Sequence, residues 1–134
     1  MKNNLFNDVP VSGLPISFGK TYPQLLAGKT VTRRTWKPCH AEKFIRIFER
    51  KAKFPALDKD KRYKGQQVGW LTLTEKPYLE KIEDMPLSDL ALEGFPNMSK
   101  SEFIDRFFDG NPHLAVWVIR FKFEPLEPIK NPSL

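Results

Sequence analysis

The chain is poor in the residues that build metal sites, cross-links and membrane spans. A single cysteine, Cys39, excludes an intramolecular disulfide and a four-thiolate metal centre, and suits a reducing compartment. The only two histidines, His40 and His113, lie far apart, and Cys39 adjoins just one of them. No metal-ligand spacing results, and neither a metal nor a cofactor is expected. The longest apolar run, residues 114–119, falls far short of a bilayer span, and the first residues hold no stretch resembling a signal peptide. A soluble, cytoplasmic protein with no membrane partner is therefore expected. The seven glycines form no phosphate-binding loop, and there is no internal repeat or low-complexity tract.

What the chain does have is aromatic core material and unevenly placed positive charge. Its 134 residues suit one domain, and eleven Phe and three Trp can fill a core without staples. The net charge of +6 is concentrated. Residues 20–64 hold fourteen Lys or Arg against four Asp or Glu, whereas residues 65–134 carry a net negative balance. Such a field favours phosphate-bearing partners, although a solvated basic face has the same composition.

Residues 1–13 lack periodicity and read as a loose lead-in. Residues 15–18 suggest a short strand. Thr21-Tyr22-Pro23-Gln24 has the form of a capping box opening a short helix, with Gly28 placed for a left-handed C-cap. Residues 40–51 read as an amphipathic helix: Phe44, Ile47 and Phe48 recur at helical spacing, while Lys43, Arg46, Arg50 and Lys51 occupy the other side. Residues 53–64 read as a charged loop. Strands follow at 65–74 and 78–82, separated by Pro77. Ser88 is placed to cap a short helix ending at Gly94. Ser99-Lys100-Ser101-Glu102 is a second capping box, and its helix carries Phe103, Ile104, Phe107 and Phe108. The clearest strand spans 114–123, with Trp117, Ile119, Phe121 and Phe123 on one face. A Pro-rich tail, 125–134, cannot enter a sheet interior. Short strands interrupted by short helices, without a βαβ rhythm, predict an α+β fold built on a small, mostly antiparallel β-barrel.

The densest chemistry lies in Gly28-Lys29-Thr30-Val31-Thr32-Arg33-Arg34-Thr35-Trp36. Strand alternation sets Val31, Arg33 and Thr35 on one face and Thr32 with Arg34 on the other. Lys29 and Thr32, three apart, converge only if the chain bends at the Gly28–Lys29 exit from the helix. Lys29 also fits the C-terminus of that helix as a solvated cation, and Thr32 fits a strand as a β-former. Glu93 can pair with Arg34 in a structural salt bridge or simply end its helix. Arg33, Arg34 and Lys29 offer phosphate contacts, and Trp36, Trp70 and Tyr22 offer planar surfaces for an unstacked base. Lys43, Arg46, Arg50 and Lys51 extend that basic track. The helix over 100–109 carries too many carboxylates to enter a major groove.

Leu-Leu-Ala-Gly-Lys-Thr-Val-Thr-Arg-Arg resembles the signature of the ASCH superfamily, whose domains have a PUA-like fold. The usual pattern is Gly-x-Lys-x-x-Glu-x-Arg. This chain has one residue fewer between Gly28 and Lys29, and Thr32 where Glu is commoner. Lys-x-x-Thr-x-Arg is similar to the variant in small bacterial amidohydrolases acting on N4-acetylcytidine. Residues 89–94 with 103–107 resemble the family's second block, and 116–121 its closing strand. The segment 38–64 corresponds poorly to shorter members and reads as a basic insertion. The resemblance implies a single PUA-like domain with an RNA, nucleoside or nucleotide ligand. It further implies an amidohydrolase in which Lys29 activates, Thr32 attacks the acyl carbon and Glu93 acts as acid and base. Gly28, Arg33, Arg34 and Trp36 would be the ligand-binding set. PUA-like domains are also widely RNA-binding, so a non-catalytic RNA-binding module is the alternative.

Overall fold

The computed structural model describes residues 9–127. The fold is organised on its last strand, β6 (Ala115–Pro125). Val118 of β6 pairs with Arg33 on one side and with Tyr78 on the other. The first edge therefore belongs to β2 (Val31–Arg34). The second is shared by β4 (Gln67–Leu73) and β5 (Tyr78–Lys81), both antiparallel to β6 and set end to end. Pro77 separates them, because a proline has no N–H to continue the ladder. Outward from β4 come β3 (Lys53–Leu57), antiparallel, and the two-residue β1 (Ile16–Ser17), parallel to β3.

The resulting order, β1-β3-β4-β6-β2, is an open path with β1 and β2 at its ends. The sheet curls enough that a side chain spans those ends: Arg34 Nη2 donates to the Ser17 carbonyl oxygen at 2.9 Å. The expected α+β fold on a small, mostly antiparallel β-barrel takes the form of a curled mixed sheet, a half-barrel whose two ends this contact links.

Both faces of the sheet are buried, and β6 supplies residues to each. Ile119 and Phe121, flanked by Trp117 and Phe123, pack with Leu25, Phe54, Leu71 and the buried side of α2 (Pro38–Glu49). Phe44 of that helix is fully buried and stacks on Trp36 with centroids 4.4 Å apart, contributing roughly 2–3 kcal/mol by area alone. On the other face, Val116 packs with Ile82, Met85, Leu90, Phe95, Phe103, Ile104 and Phe108. Those residues come largely from α3 (Asp89–Glu93), α4 (Lys100–Phe107) and the turns around them. Among the described residues, no helix is long and apolar enough to cross a membrane.

Local signals in the sequence are met unevenly. The Ser99–Glu102 capping box forms in both directions. Gly28 adopts φ +117° just after α1 (Tyr22–Leu26), the left-handed bend that swings Lys29 away from the line of β2. Thr21 does not cap α1; its hydroxyl donates instead to the Phe18 carbonyl, and Ser88 makes no side-chain cap.

The largest departure concerns residues 38–64. Residues 53–57 are not loop but β3, the strand that ties β1 to β4, with Phe54 and Ala56 fully buried. Pro55 and the flanking lysines hide its alternation. With α2 packed into one core and β3 inside the sheet, the segment is built into the fold rather than appended to it. Within the lead-in, Val11 bridges Lys53 and the Ser12 N–H donates to the Lys53 carbonyl, so residues 11–12 run along β3. Residues 1–8, and 128–134 of the Pro-rich tail, lie outside the described residues.

Candidate active site

A cavity of about 280 Å³ opens where β2, α3 and α4 meet. Its polar lining includes Lys29, Thr32, Arg33, Arg34 and Glu93; Phe95, Phe103, Phe107 and Phe108 make an apolar wall, and Phe18, Lys20, Thr21 and Thr35 complete the lining. The volume sits at the small end of ligand sites and suits a small molecule rather than an extended one.

The polar wall is set by register. In the β2–β6 pairing, Val31, Arg33, Val118 and Arg120 share one face of the sheet. That face lies under α3, and Asp89 and Glu93, four residues apart on α3, project together toward it. Arg33 is enclosed by three carboxylates: Nε donates to Glu80 at 3.0 Å, Nη1 to Glu93 at 2.9 Å and Nη2 to Asp89. Arg120 approaches Asp89 from the other side at 2.7 Å and also donates to the Tyr78 hydroxyl at 3.1 Å. Lys29 Nζ donates to Glu93 Oε1 at 2.6 Å and to the Glu93 carbonyl oxygen at 3.0 Å. Three buried or half-buried cations thus face three carboxylates, with the exposed Glu75 reaching Arg120 from the solvent side.

Burial lowers the pKa of the Lys29 ammonium from its ordinary value, and Arg34 and Arg33 add to that, while Glu93 opposes it. The neutral amine is therefore easier to reach here than in water. Burial alone would raise the Asp89 carboxyl, but hydrogen bonds from Arg120 and Arg33 hold it below the ordinary carboxylate range. Burial also works against the Arg33 charge, yet its hydrogen bonds to Asp89 and Glu93 raise it on balance. Arg34 is lowered by burial to about 10 and remains a cation at neutral pH. Its Nε donates to Thr32 Oγ1 at 3.2 Å, which leaves the Thr32 hydroxyl proton free to donate elsewhere.

No family model matches the chain, and no curated protein matches it significantly. Among solved structures, the fold is similar to that of protein EF3133 from Enterococcus faecalis, described with the family model DUF984. The two share 15% sequence identity and a TM-score of 0.57, over 92% of this chain and 87% of that one. At that identity the likeness establishes a shared fold.

Lys29, Thr32, Arg33, Arg34 and Glu93, all singled out in the sequence, line one cavity. Gly28 contributes its bend and no lining. Glu93 does not pair with Arg34 as one sequence reading had it; it pairs with Lys29 and Arg33, because Arg33 is the residue whose face lies beneath α3. Trp36 lies outside the cavity, stacked on Phe44 and T-shaped to the His40 ring. Trp70 is covered by Lys53, whose Nζ sits 4.4 Å from the ring centroid, and Tyr22 is packed against the core. Lys43, Arg46, Arg50 and Lys51 are exposed along and just beyond α2 and contribute nothing to the cavity. Sequence reasoning missed Asp89, Glu80, Tyr78 and Arg120 as a network, since their separations along the chain carry no signal. Among the described residues, no cluster of His, Cys, Asp or Glu is placed to hold a metal ion.

Proposed function

We propose that the cavity receives a nucleobase, and that the chain is an ASCH-type, PUA-like amidohydrolase removing an acyl group from a modified cytidine. The observation that carries this reading is the meeting of Lys29, Thr32 and Glu93 in one base-sized cavity, with Lys29 Nζ 2.6 Å from Glu93 Oε1. The phenylalanines, their rings tilted to one another, offer an apolar wall to the ring and its acyl substituent.

In this reading the Lys29 amine, made available by burial, accepts the Thr32 hydroxyl proton. Thr32 Oγ1, oriented by the Arg34 Nε–H that it accepts, attacks the acyl carbon, and the charge passes to the acyl oxygen. The C–N bond breaks as a proton passes from Lys29, directly or through Glu93, to the departing exocyclic amine. Water then attacks the acyl-threonine ester, delivering a carboxylic acid and restoring the hydroxyl. Glu93 takes and returns the proton in that second half, held in place by Arg33.

The test is incubation of the purified protein with N4-acetylcytidine, following cytidine release by chromatography. Turnover is expected, with loss of about a hundredfold or more in Lys29→Ala and in Glu93→Gln. An absence of turnover at high enzyme concentration would refute the amidohydrolase reading. The second reading, a non-catalytic RNA-binding module, rests on the exposed Lys43, Arg46, Arg50 and Lys51. It predicts salt-dependent RNA binding that weakens when those four residues are replaced, with no turnover of any acylated base.

A further inference from the structure

Arg34 stands apart from the other buried and half-buried cations around the site. Lys29, Arg33 and Arg120 each meet a carboxylate, whereas Arg34, like the exposed Lys20 at the rim, has none within ion-pair distance among the described residues. Its hydrogen bonds run from Nε to Thr32 Oγ1 and from Nη2 to the Ser17 carbonyl; Nη1 has no protein partner among them. A guanidinium half-buried without a counter-charge carries a desolvation cost, and burial does lower its pKa.

The same side chain is a wall between two cavities. Beyond it, at the seam where β1 and β2 approach, lies a second cavity of about 390 Å³. Trp36, His40, Ser17 and Lys61 line it, together with Asp60. Asp60 is already engaged, since its Oδ1 accepts from the Arg62 backbone N–H and from Arg62 Nε. Lys61 has no carboxylate partner among the described residues, so this cavity too presents positive charge beside aromatic rings.

We propose that the two cavities form one bipartite site for a phosphate-bearing nucleotide. Its base enters the first cavity, its phosphate rests on Arg34, and the neighbouring nucleoside lies in the second cavity beside Trp36 and His40. Arg34 is then left without a carboxylate because the ligand supplies the anion. The substrate class becomes a nucleotide joined through a phosphodiester rather than a bare nucleoside. This rests on the first cavity being a base pocket.

Calorimetric titration at low salt separates the two ideas. The ligands are the hydrolysis-inert products: cytidine, cytidine 3′- and 5′-monophosphate, and the dinucleotides of cytidine with uridine in both orders. The wild-type protein is expected to bind one of the monophosphates about tenfold more tightly than cytidine, and the corresponding dinucleotide several-fold more tightly again. Arg34→Gln should erase the advantage of the phosphate, whereas Lys61→Gln and Trp36→Ala should remove only the increment of the dinucleotide. A monophosphate advantage without a dinucleotide increment would assign the phosphate to a terminal group and overturn the second-cavity assignment. Equal affinity of wild type for cytidine and all phosphorylated forms would overturn the bipartite site while leaving the base pocket standing. No binding of any of them would overturn both.

Discussion

Glu93 and Lys29 form one ion pair, yet the structure makes them unequal. Glu93 faces two cations, Lys29 on Oε1 and Arg33 on Oε2, whereas Lys29 has Glu93 as its single carboxylate among the described residues. Glu93→Gln keeps the shape and removes the charge, stranding a buried ammonium and leaving the network with one cation in excess. At 2.6 Å and an effective dielectric near 20, the direct attraction to Lys29 alone is about 6 kcal/mol. Desolvation of the two ions offsets much of that, so a net loss of about 3 kcal/mol is expected. For a chain of this size it lowers Tm by roughly 10 °C. Lys29→Met is a different perturbation. It keeps the apolar stem and leaves the carboxylate paired with Arg33, so its cost is about 1 kcal/mol. The double variant should recover part of the Glu93→Gln loss, since the stranded charge is then gone. Urea denaturation of the wild type, both single variants and the double variant at neutral pH measures all four corners of the cycle. Lys29→Met proving as destabilising as Glu93→Gln would refute the assignment of Arg33 as the second partner.

Turnover of the acylated cytidine should rise with pH to a plateau, because the base is the neutral Lys29 amine; the midpoint is expected below the ordinary lysine value, since burial lowers it. A midpoint at or above that value would remove Lys29 from the role. Asp89 has a folded-state pKa below its unfolded value, so its contribution is complete above the ordinary aspartate range and is lost as pH falls through the folded value. Asp89→Asn should therefore flatten the acid limb of the stability profile, measured as Tm from pH 2 to 7, and cost about 3 kcal/mol at neutral pH. Gly94 follows Glu93 at φ +101°, and a Cβ there would lie 2.5 Å from the Gln24 side chain. Gly94→Ala is expected to cost about 2 kcal/mol in denaturation and to reduce turnover as well, by shifting the end of α3.

How far the sequence discloses this molecule depends on whether a feature is local. The alternation of Trp117, Ile119, Phe121 and Phe123, the Ser99–Glu102 box and the bend at Gly28 all arise within a few residues, and each appears where local physics places it. β3 was hidden because Lys53-Phe54-Pro55-Ala56-Leu57 carries a proline and a lysine in five residues, and its burial comes from β1 and β4 rather than from its own pattern. Thr21 and Ser88 show the converse, in that residues suited to capping make no cap when other partners or turn geometry intervene. Resemblance to a family, rather than spacing, groups Lys29, Thr32 and Glu93 in the sequence, and the three line one cavity. Spacing could not pair Arg33 with Glu93 across sixty positions, because that depends on which face of β2 lies under α3.

The placing of β6 has a consequence for how the molecule is made. β2, β4 and β5 all wait for a strand that follows them in synthesis, and both cores take residues from it. While the ribosome is still adding residues before Ala115, the emerging chain can pair β3 with β4 and lay β1 alongside, but α3 and α4 have no sheet to cover. Phe103 and Phe107 of α4, with Phe95 and Phe108 beside it, stay exposed to chaperones until β6 has emerged. A force-sensing arrest sequence, moved stepwise downstream, should register its main pull only once β6 has cleared the exit tunnel.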